Sequence, residues 1–397
     1  MQKPVAAAAT VYTHHSHADV ILGKILEGPN YDGKDLYGIK LVSLYVDQIP
    51  PKGDARPDMS AELAKKHGFR LCKSIDEALT LGGDKLAVEG FLSIGEHGKY
   101  EKNAKGQILY PRRRFFEDAT KTLARLKKSI PLFNDKHLAQ SWDDAKWMYD
   151  RSRELMCPFL AGSTVPLTWR KPDLSLPKDC EMTAAVALGY GPYEGYGFHM
   201  LEGLQCMMER RKGGEVGVKA VQSLTGDAMW QACDRGEFSK ELLEETIRRA
   251  PAYAKGDYRE ITKKTKDAGV WLIEYRDGLK VAAAIMNGFL YEGDGGAFCF
   301  ACRLKGEDKP RSCQFYLQQP DPFAHFAELC KALDEMVQTN HAPYPVERTL
   351  LTTGILDAIM TSQHEGGKRI ETPHLKIAYK PTEWSHATGP IPKAIKR

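Results

Sequence analysis

The sequence predicts an α/β protein: a Rossmann-like, doubly wound parallel sheet, followed by an α/β domain on a large, open, mostly antiparallel sheet. Over residues 1–165, short apolar runs alternate with capped amphipathic segments, the pattern of crossover connections between parallel strands. Beyond residue 166, apolar runs follow one another with hairpin signals such as R-D-G at 276–278, which favours antiparallel pairing. At 397 residues the chain also exceeds the roughly 250–300 residues at which one hydrophobic core stops growing. Two domains are therefore expected, 1–165 and 166–397.

The elements follow in order. A buried strand is expected at residues 5–12, broken by T-H-H-S-H and followed by the helix A-D-V-I-L-G-K-I-L-E, which Gly28 closes. A second strand at 41–46 ends on Asp47. S-A-E-L-A-K-K-H-G reads as a helix with Ser60 as its cap and Gly68 after its end. Strands at 69–72 and 86–94 flank the helix S-I-D-E-A-L, and the latter strand ends in G-E-H-G. A polar insertion over 99–116, carrying Arg112, Arg113 and Arg114, has the length of a functional lid. A helix at 117–128, a strand at 130–133, a helix from S-W-D-D and a strand at 159–162 complete the domain. In the second domain, strands are expected at 181–190, 218–224, 270–275, 279–286, 297–303 and 313–318. A helix is expected from Met200, two more lie near the tail, and a last strand is expected at 376–379.

Composition excludes several classes. The 56 basic and 52 acidic residues are interspersed and leave a net charge of only +4, so neither nucleic acid nor a membrane surface is an expected partner. No run is long enough to span a bilayer, and the Ala run in the first ten residues is too short for a signal peptide. Nine scattered cysteines read as reduced core thiols, Cys299-x-x-Cys302 included, and the expected location is the cytoplasm.

The chemistry concentrates in P-L-F-N-D-K-H-L-A at 131–139, where an apolar run stops at Asn134, Asp135, Lys136 and His137. An acid, an amine and an imidazole beyond a strand of an open α/β sheet stand where ligands bind. His14, His15, His17, Asp47, Glu96, His97, Glu194 and His199 are expected at strand ends or in the loops beyond them. Such a set can transfer protons, or its imidazoles and carboxylates can hold a divalent metal. The metal candidates are His97, His137, His199 and Glu194. No H-E-x-x-H is present, and a metal is the less favoured reading.

D-K-H-L-A followed by a helix and P-F-L-A-G resembles the E-K-P-L-A segment of the glucose-fructose oxidoreductase, inositol dehydrogenase and MocA family. G-Y-G-F-H-M-L-E at 195–202 is similar to that family's D-x-G-x-H-x-x-D element, with Gly195 at the first acid and Glu194 one residue away. V-E-R-T-L-L-T-T-G-I-L-D-A is placed like its last long helix. The family's three fingerprint glycines fall on Ala9, Val11 and His14. The resemblance implies a sugar or polyol oxidoreductase using NAD or NADP. Lys136, His199, Glu194 and His137 would be catalytic, and His97, Glu96, Arg114, Trp169, Arg170 and Glu202 would face the carbohydrate. His17, Asp47 and Asp135 would face the cofactor, and the second sheet would join copies into a homo-oligomer. Alternatives on the same fold are a redox-neutral lyase or hydrolase of keto-sugars or glycosides, with or without metal, and a non-catalytic sugar-binding protein.

Overall fold

The computed structural model describes residues 2–291, 295–319 and 321–397. The chain forms two compact units. One is Met1–Glu101 with Ile108–Gly162 and Pro322–Val346; the other is Lys102–Gln107 with Ser163–Asp321 and Glu347–Arg397.

The first unit contains β1 (Lys3–Ala9), α1 (His17–Glu27), β2 (Ile39–Val46), α2 (Ser60–His67), β3 (Arg70–Cys72) and α3 (Ile75–Thr80). It continues with β4 (Gly90–Ile94), α4 (Arg112–Leu126), β5 (Leu132–Asp135), α5 (Trp142–Glu154) and β6 (Phe159–Gly162). All six strands are parallel, in the order β3-β2-β1-β4-β5-β6. The order reverses beside β1, so the carboxyl ends of β1 and β4 flank the crevice where such sheets bind ligands. Ala6, Ala7, Ala8 and Ala9 are fully buried in β1, consistent with a central strand covered on both faces.

One helix of this unit begins elsewhere than expected, and one strand runs on further. α4 starts at Arg112, not near residue 117, because Pro111 occupies the N-cap and Arg112, Phe115, Phe116, Ala119 and Leu123 form its buried stripe. The insertion is thus shorter and its arginines are helical. α5 starts at Trp142, with Ser141 accepting from the Asp144 amide, so residues 136–141 form a turn and β5 runs on through Asn134 and Asp135.

The second unit opens with a 3₁₀ turn (Val165–Leu167), β7 (Arg170–Lys171), β8 (Met182–Gly189) and α6 (Gly195–Met208). There follow β9 (Val218–Thr225), α7 (Gly226–Asp234), α8 (Lys240–Arg249), α9 (Tyr258–Lys263), β10 (Gly269–Tyr275), β11 (Lys280–Ile285), β12 (Gly295–Leu304) and β13 (Arg311–Leu317). The chain ends with α10 (His325–Thr339), α11 (Glu347–His364) and β14 (Ile370–Glu371). Of these, α10 belongs to the first unit. There Tyr37 Oη donates to the Ala327 carbonyl at 3.2 Å and Gly38 N to Asp334 at 3.0 Å.

The second sheet has the order β14-β9-β10-β11-β8-β12-β13-β7, antiparallel except between β11 and β8. One face carries α6, whose Gly197 and Gly203 admit Trp271 and Phe315 so closely that a β-carbon would meet them. α8 lies on the other face, where Glu245 and Arg249 bond the Ser312 hydroxyl at 2.6 and 2.8 Å. The helices α7, α8 and α9 were not expected, although Ser239 caps α8 in the ordinary way. The last strand lies at Ile370–Glu371 rather than 376–379; Tyr379 makes only an isolated bridge to Glu215. All nine cysteines are buried free thiols. Cys299 and Cys302, three apart on β12, point to opposite faces of the sheet.

Candidate active site

In the first unit, side chains from beyond the ends of β1, β4 and β5 meet. Beyond β5, Lys136 adopts a left-handed backbone with φ of 68° and donates its N–H to the Gly162 carbonyl at 3.3 Å. Asn134 Nδ2 donates to the carbonyls of Asp135 and His137 at 3.1 and 3.0 Å, which fixes the turn from beneath. Lys136 is only 4% exposed, and its Nζ lies 3.6 Å from Glu96 Oε1. Beyond β4, Thr10 Oγ1 holds the Glu96 carbonyl at 2.5 Å, and His97 has φ of 70°. His15, beyond β1, is left-handed too, with φ of 58°. Non-glycine residues in this conformation cost on the order of 1–3 kcal/mol each and collect at functional sites.

Arg112 is the centre of the cluster and is 0% exposed. Its guanidinium donates to Glu96 Oε2 at 2.7 Å and to His137 Nε2 at 2.8 Å. A guanidinium can only donate, so His137 accepts at Nε2 and is the neutral tautomer with its proton on Nδ1. Gly95 makes room: a β-carbon there would lie 2.6 Å from Arg112 Cγ. His17, the first residue of α1, pairs its Nδ1 with Asp135 Oδ2 at 2.6 Å, and its ring lies edge-on to His97 at 5.3 Å.

The electrostatics follow from this packing. Burial pushes the Glu96 carboxyl up, but the charges of Lys136 and Arg112 outweigh it and hold the group well below the usual carboxylate range. Burial, with the neighbouring charge of His17, lowers His97 to about 4, so it is neutral at pH 7. The result is a fixed cation, Lys136, against a fixed anion, Glu96, beside neutral imidazoles.

At the end of β2, Asp47 accepts from the Tyr45 and Tyr100 hydroxyls at 2.7 Å each and from Arg114. Nearby, a cavity of about 280 Å³ is lined by Val11, Thr13, Ile49, Pro50, Arg56 and Lys99 among others. The β1–α1 turn is closed by its own residues. Ser16 Oγ accepts from Asp19 N at 3.3 Å as the N-cap of α1, and Asp19 Oδ2 accepts from His15 N at 2.8 Å.

In the second unit, α6 begins at Gly195, five residues before the start expected at Met200. Glu194 stands at its N-cap. His199 lies one turn in, its Nδ1 2.6 Å from Ser163 Oγ and its ring 6.0 Å from Phe298. Glu202 is buried and accepts from Thr352 Oγ1 at 2.7 Å, Thr349 Oγ1 at 3.2 Å and Ser163 N at 3.3 Å. Burial raises its pKa against the pull of Arg348 and these donors. It ties α6, α11 and Ser163 together. Trp169 Nε1 donates to the Gly389 carbonyl at 3.1 Å, and Arg170 donates to the Leu174 carbonyl at 2.7 Å, so both spend polar atoms on backbone.

The first unit therefore gathers Glu96, Lys136 and His137 around Arg112 and Asp135 and His17 beside them, with Asp47 and Arg114 paired at the end of β2. The second gathers His199 and Glu202 around Ser163. Arg112 as the hub, Tyr100 and Ser163 were not singled out from the sequence. Among the described residues, none of His97, His137, His199 and Glu194 belongs to a group of three side chains with metal-ligand spacing.

The reversed parallel sheet and the mostly antiparallel second sheet define the two-domain fold of the glucose-fructose oxidoreductase, inositol dehydrogenase and MocA group. Several solved structures share it. The chain is 12% identical to GenD2 from gentamicin A biosynthesis, solved in complex with NAD, with 94% of this chain and 96% of that one covered at a TM-score of 0.56. It is 11% identical to a myo-inositol dehydrogenase from Corynebacterium glutamicum, covering 94% and 99% at a TM-score of 0.53. It is 8% identical to the scyllo-inositol dehydrogenase from Lactobacillus casei with bound NAD(H) and scyllo-inositol, covering 94% and 99% at 0.57. No protein-family model and no curated protein matches the sequence. No helix among the described residues is long and apolar enough to cross a membrane.

Proposed function

We propose that this chain is a nicotinamide-dependent oxidoreductase acting on a sugar or polyol. The observation that carries the reading is the buried, left-handed Lys136 at the end of β5, 3.6 Å from Glu96. The dinucleotide held by proteins of this fold suits the first unit at both ends. The cavity beside β2 has apolar walls for an adenine and cationic residues at its rim, and Lys136, Asp135 and His17 would border the nicotinamide end. Between them, the glycine-free turn already engages the His15 and Asp19 amides with its own side chains, so the pyrophosphate is the part of the dinucleotide it suits least.

The bound nicotinamide would accept or return a hydride at the carbon bearing the hydroxyl. The chain's part is positioning and charge. Lys136, paired with Glu96, would meet the negative charge that develops on the reacting oxygen. Arg112 keeps Glu96 ionised and His137 neutral, so this charge distribution stays fixed as the proton leaves. His199 is assigned the proton, its ring orientation set by Ser163 at Nδ1. In a water-poor site such general acid–base assistance contributes about 10²- to 10⁴-fold. The capped β1–α1 turn favours one second reading, a redox-neutral lyase in which the same bases remove a proton beside a carbonyl. Assembly of copies through the second sheet is also proposed.

Titration calorimetry with NAD⁺ and NADP⁺, followed by absorbance of the reduced nicotinamide with a panel of polyols and sugars, tests the reading. Binding of one dinucleotide and reduction with at least one polyol are expected. Absence of both would leave the lyase reading.

A further inference from the structure

We infer that the substrate is a glycoside or oligosaccharide whose second ring stacks on Tyr253, an inference that rests on the sugar oxidoreductase reading above. In the second unit, β8 and β11 run parallel and end together at Gly189 and Ile285, while β10 and β12 begin beside them. The loops 250–268 and 286–291 therefore stand at the edge of the sheet from which α6 starts. His199 lies one turn into α6, with Tyr196 at 6.3 Å and Phe298 at 6.0 Å from its ring.

The loop after β11 is tied to the approach to α6. Gly191 N donates to Asn287 Oδ1 at 2.7 Å, and Asn287 Nδ2 donates to the carbonyls of Gly191 and Asp267 at 3.0 and 2.7 Å. Tyr196 packs so closely that a β-carbon on Gly191 would lie 2.5 Å from its ring. Beyond this tie, the Tyr253 ring stacks on the buried Phe289 at 5.5 Å and 25°, and Tyr258 meets Phe289 edge-on at 6.0 Å. Ala254 N donates to the Phe289 carbonyl at 2.7 Å and fixes the backbone beside Tyr253. Tyr253 is nevertheless 51% exposed, as is Tyr291, one residue past Leu290, which bridges Tyr253. Among the described residues these are the only aromatic side chains that stand exposed, and both lie at the edge from which α6 starts.

A phenol held flat on a buried ring offers its other face at little cost in freedom, and the C–H groups of a pyranose suit the negative face of an aromatic ring. The surroundings are polar: Lys255, Asp257, Lys264, Lys266 and Asp267 are exposed. Two rings in a polar rim are too small an apolar area for a membrane or a protein partner, and they match a sugar ring edged by hydroxyls. Because Gly191 and Asn287 stand between His199 and Tyr253, the ring that reaches Tyr253 is not the one being oxidised.

The test measures kcat/KM for nicotinamide reduction by glucose against cellobiose and maltose, and by galactose against lactose and melibiose, with calorimetry of the same sugars on the dinucleotide-loaded protein. At least one disaccharide is expected to exceed its monosaccharide by about ten-fold in both measurements, the worth of one stacking contact. Tyr253→Ala is expected to bring that ratio close to one, and Tyr253→Phe to keep it. Equal values for every pair would overturn this inference and leave the oxidoreductase reading standing. An unchanged ratio in Tyr253→Ala would overturn the assignment to Tyr253, and a smaller oligomer by light scattering in that variant would show that a second copy covers the ring instead. No reduction and no binding with any of these sugars would overturn the sugar oxidoreductase reading and this inference with it.

Discussion

Lys136 and Arg112 illustrate two ways in which a residue becomes functional. Lys136 was readable from the sequence, because an apolar run that gives way to Asn-Asp-Lys-His places polar residues at the carboxyl edge of the sheet, although β5 itself runs on through Asn134 and Asp135. Arg112 stands out in the sequence only as one of three arginines in a polar insertion. The signal was present: Pro111 starts a helix, and the spacing to Phe115, Phe116 and Ala119 puts Arg112 on the stripe that faces the sheet. Its partners could not be read, since Glu96 and His137 are brought to it by folding alone. Breaking this buried pair leaves Glu96 charged without its strongest donor. Arg112→Met is therefore expected to cost about 3–5 kcal/mol in urea unfolding at pH 7. A loss below about 1 kcal/mol would show the network to be weakly coupled. Ser163 acts through His199. With Ser163→Ala the ring loses the hydroxyl at 2.6 Å, and kcat is expected to fall roughly ten-fold or more with a displaced pH profile. Ser163→Thr should keep the profile of the unsubstituted protein.

At the scale of elements, the strand ends decide both chemistry and acid stability. His97, at the end of β4, and His325, the first residue of α10, are held neutral by burial, at about 4 and about 3 against an ordinary 6.5. The unfolded chain takes up these protons first, so folding stability is complete above about pH 6.5 and declines as the pH falls toward 4. Urea midpoints at pH 7 and pH 5 should differ for the unsubstituted protein, and less so for His97→Asn. An equal difference in both would remove His97 from the account. Elements were recovered from the sequence where caps and periodicity agree, as for α1 and its Gly28; α2 ends at the left-handed Gly68 as expected, but Ser60 is its first residue and Met59, with no side-chain bond, its N-cap. The helices α7, α8 and α9 were passed over because the surrounding apolar runs suggested strand following strand. The start of α6 lies at Gly195 rather than at Met200, and position 197 is glycine because Trp271 leaves no space for a side chain.

The whole molecule is not a simple succession of two domains. The sequence pattern breaks near residue 165, and no local signal shows that α10, late in the chain, packs with the first unit. There its Cys330 Sγ donates to the Ile21 carbonyl at 3.7 Å, and Gln338 Nε2 donates to the Gly38 carbonyl at 2.8 Å. A fragment ending at residue 165 lacks this helix. It is expected to bind a hydrophobic dye and to unfold without a sharp transition, whereas cooperative unfolding of the fragment would show that α10 is dispensable.

The claim on which the account turns is that Lys136 serves hydride transfer. Single-turnover reduction of bound nicotinamide by a polyol substrate, followed by absorbance in the unsubstituted protein and in Lys136→Met, tests it most directly. The expected result is a rate at least about 100-fold lower in the variant, with dinucleotide affinity changed only a few-fold and the fold intact by circular dichroism. Equal rates in the two proteins, or no reduction by any sugar or polyol in the unsubstituted one, would contradict it.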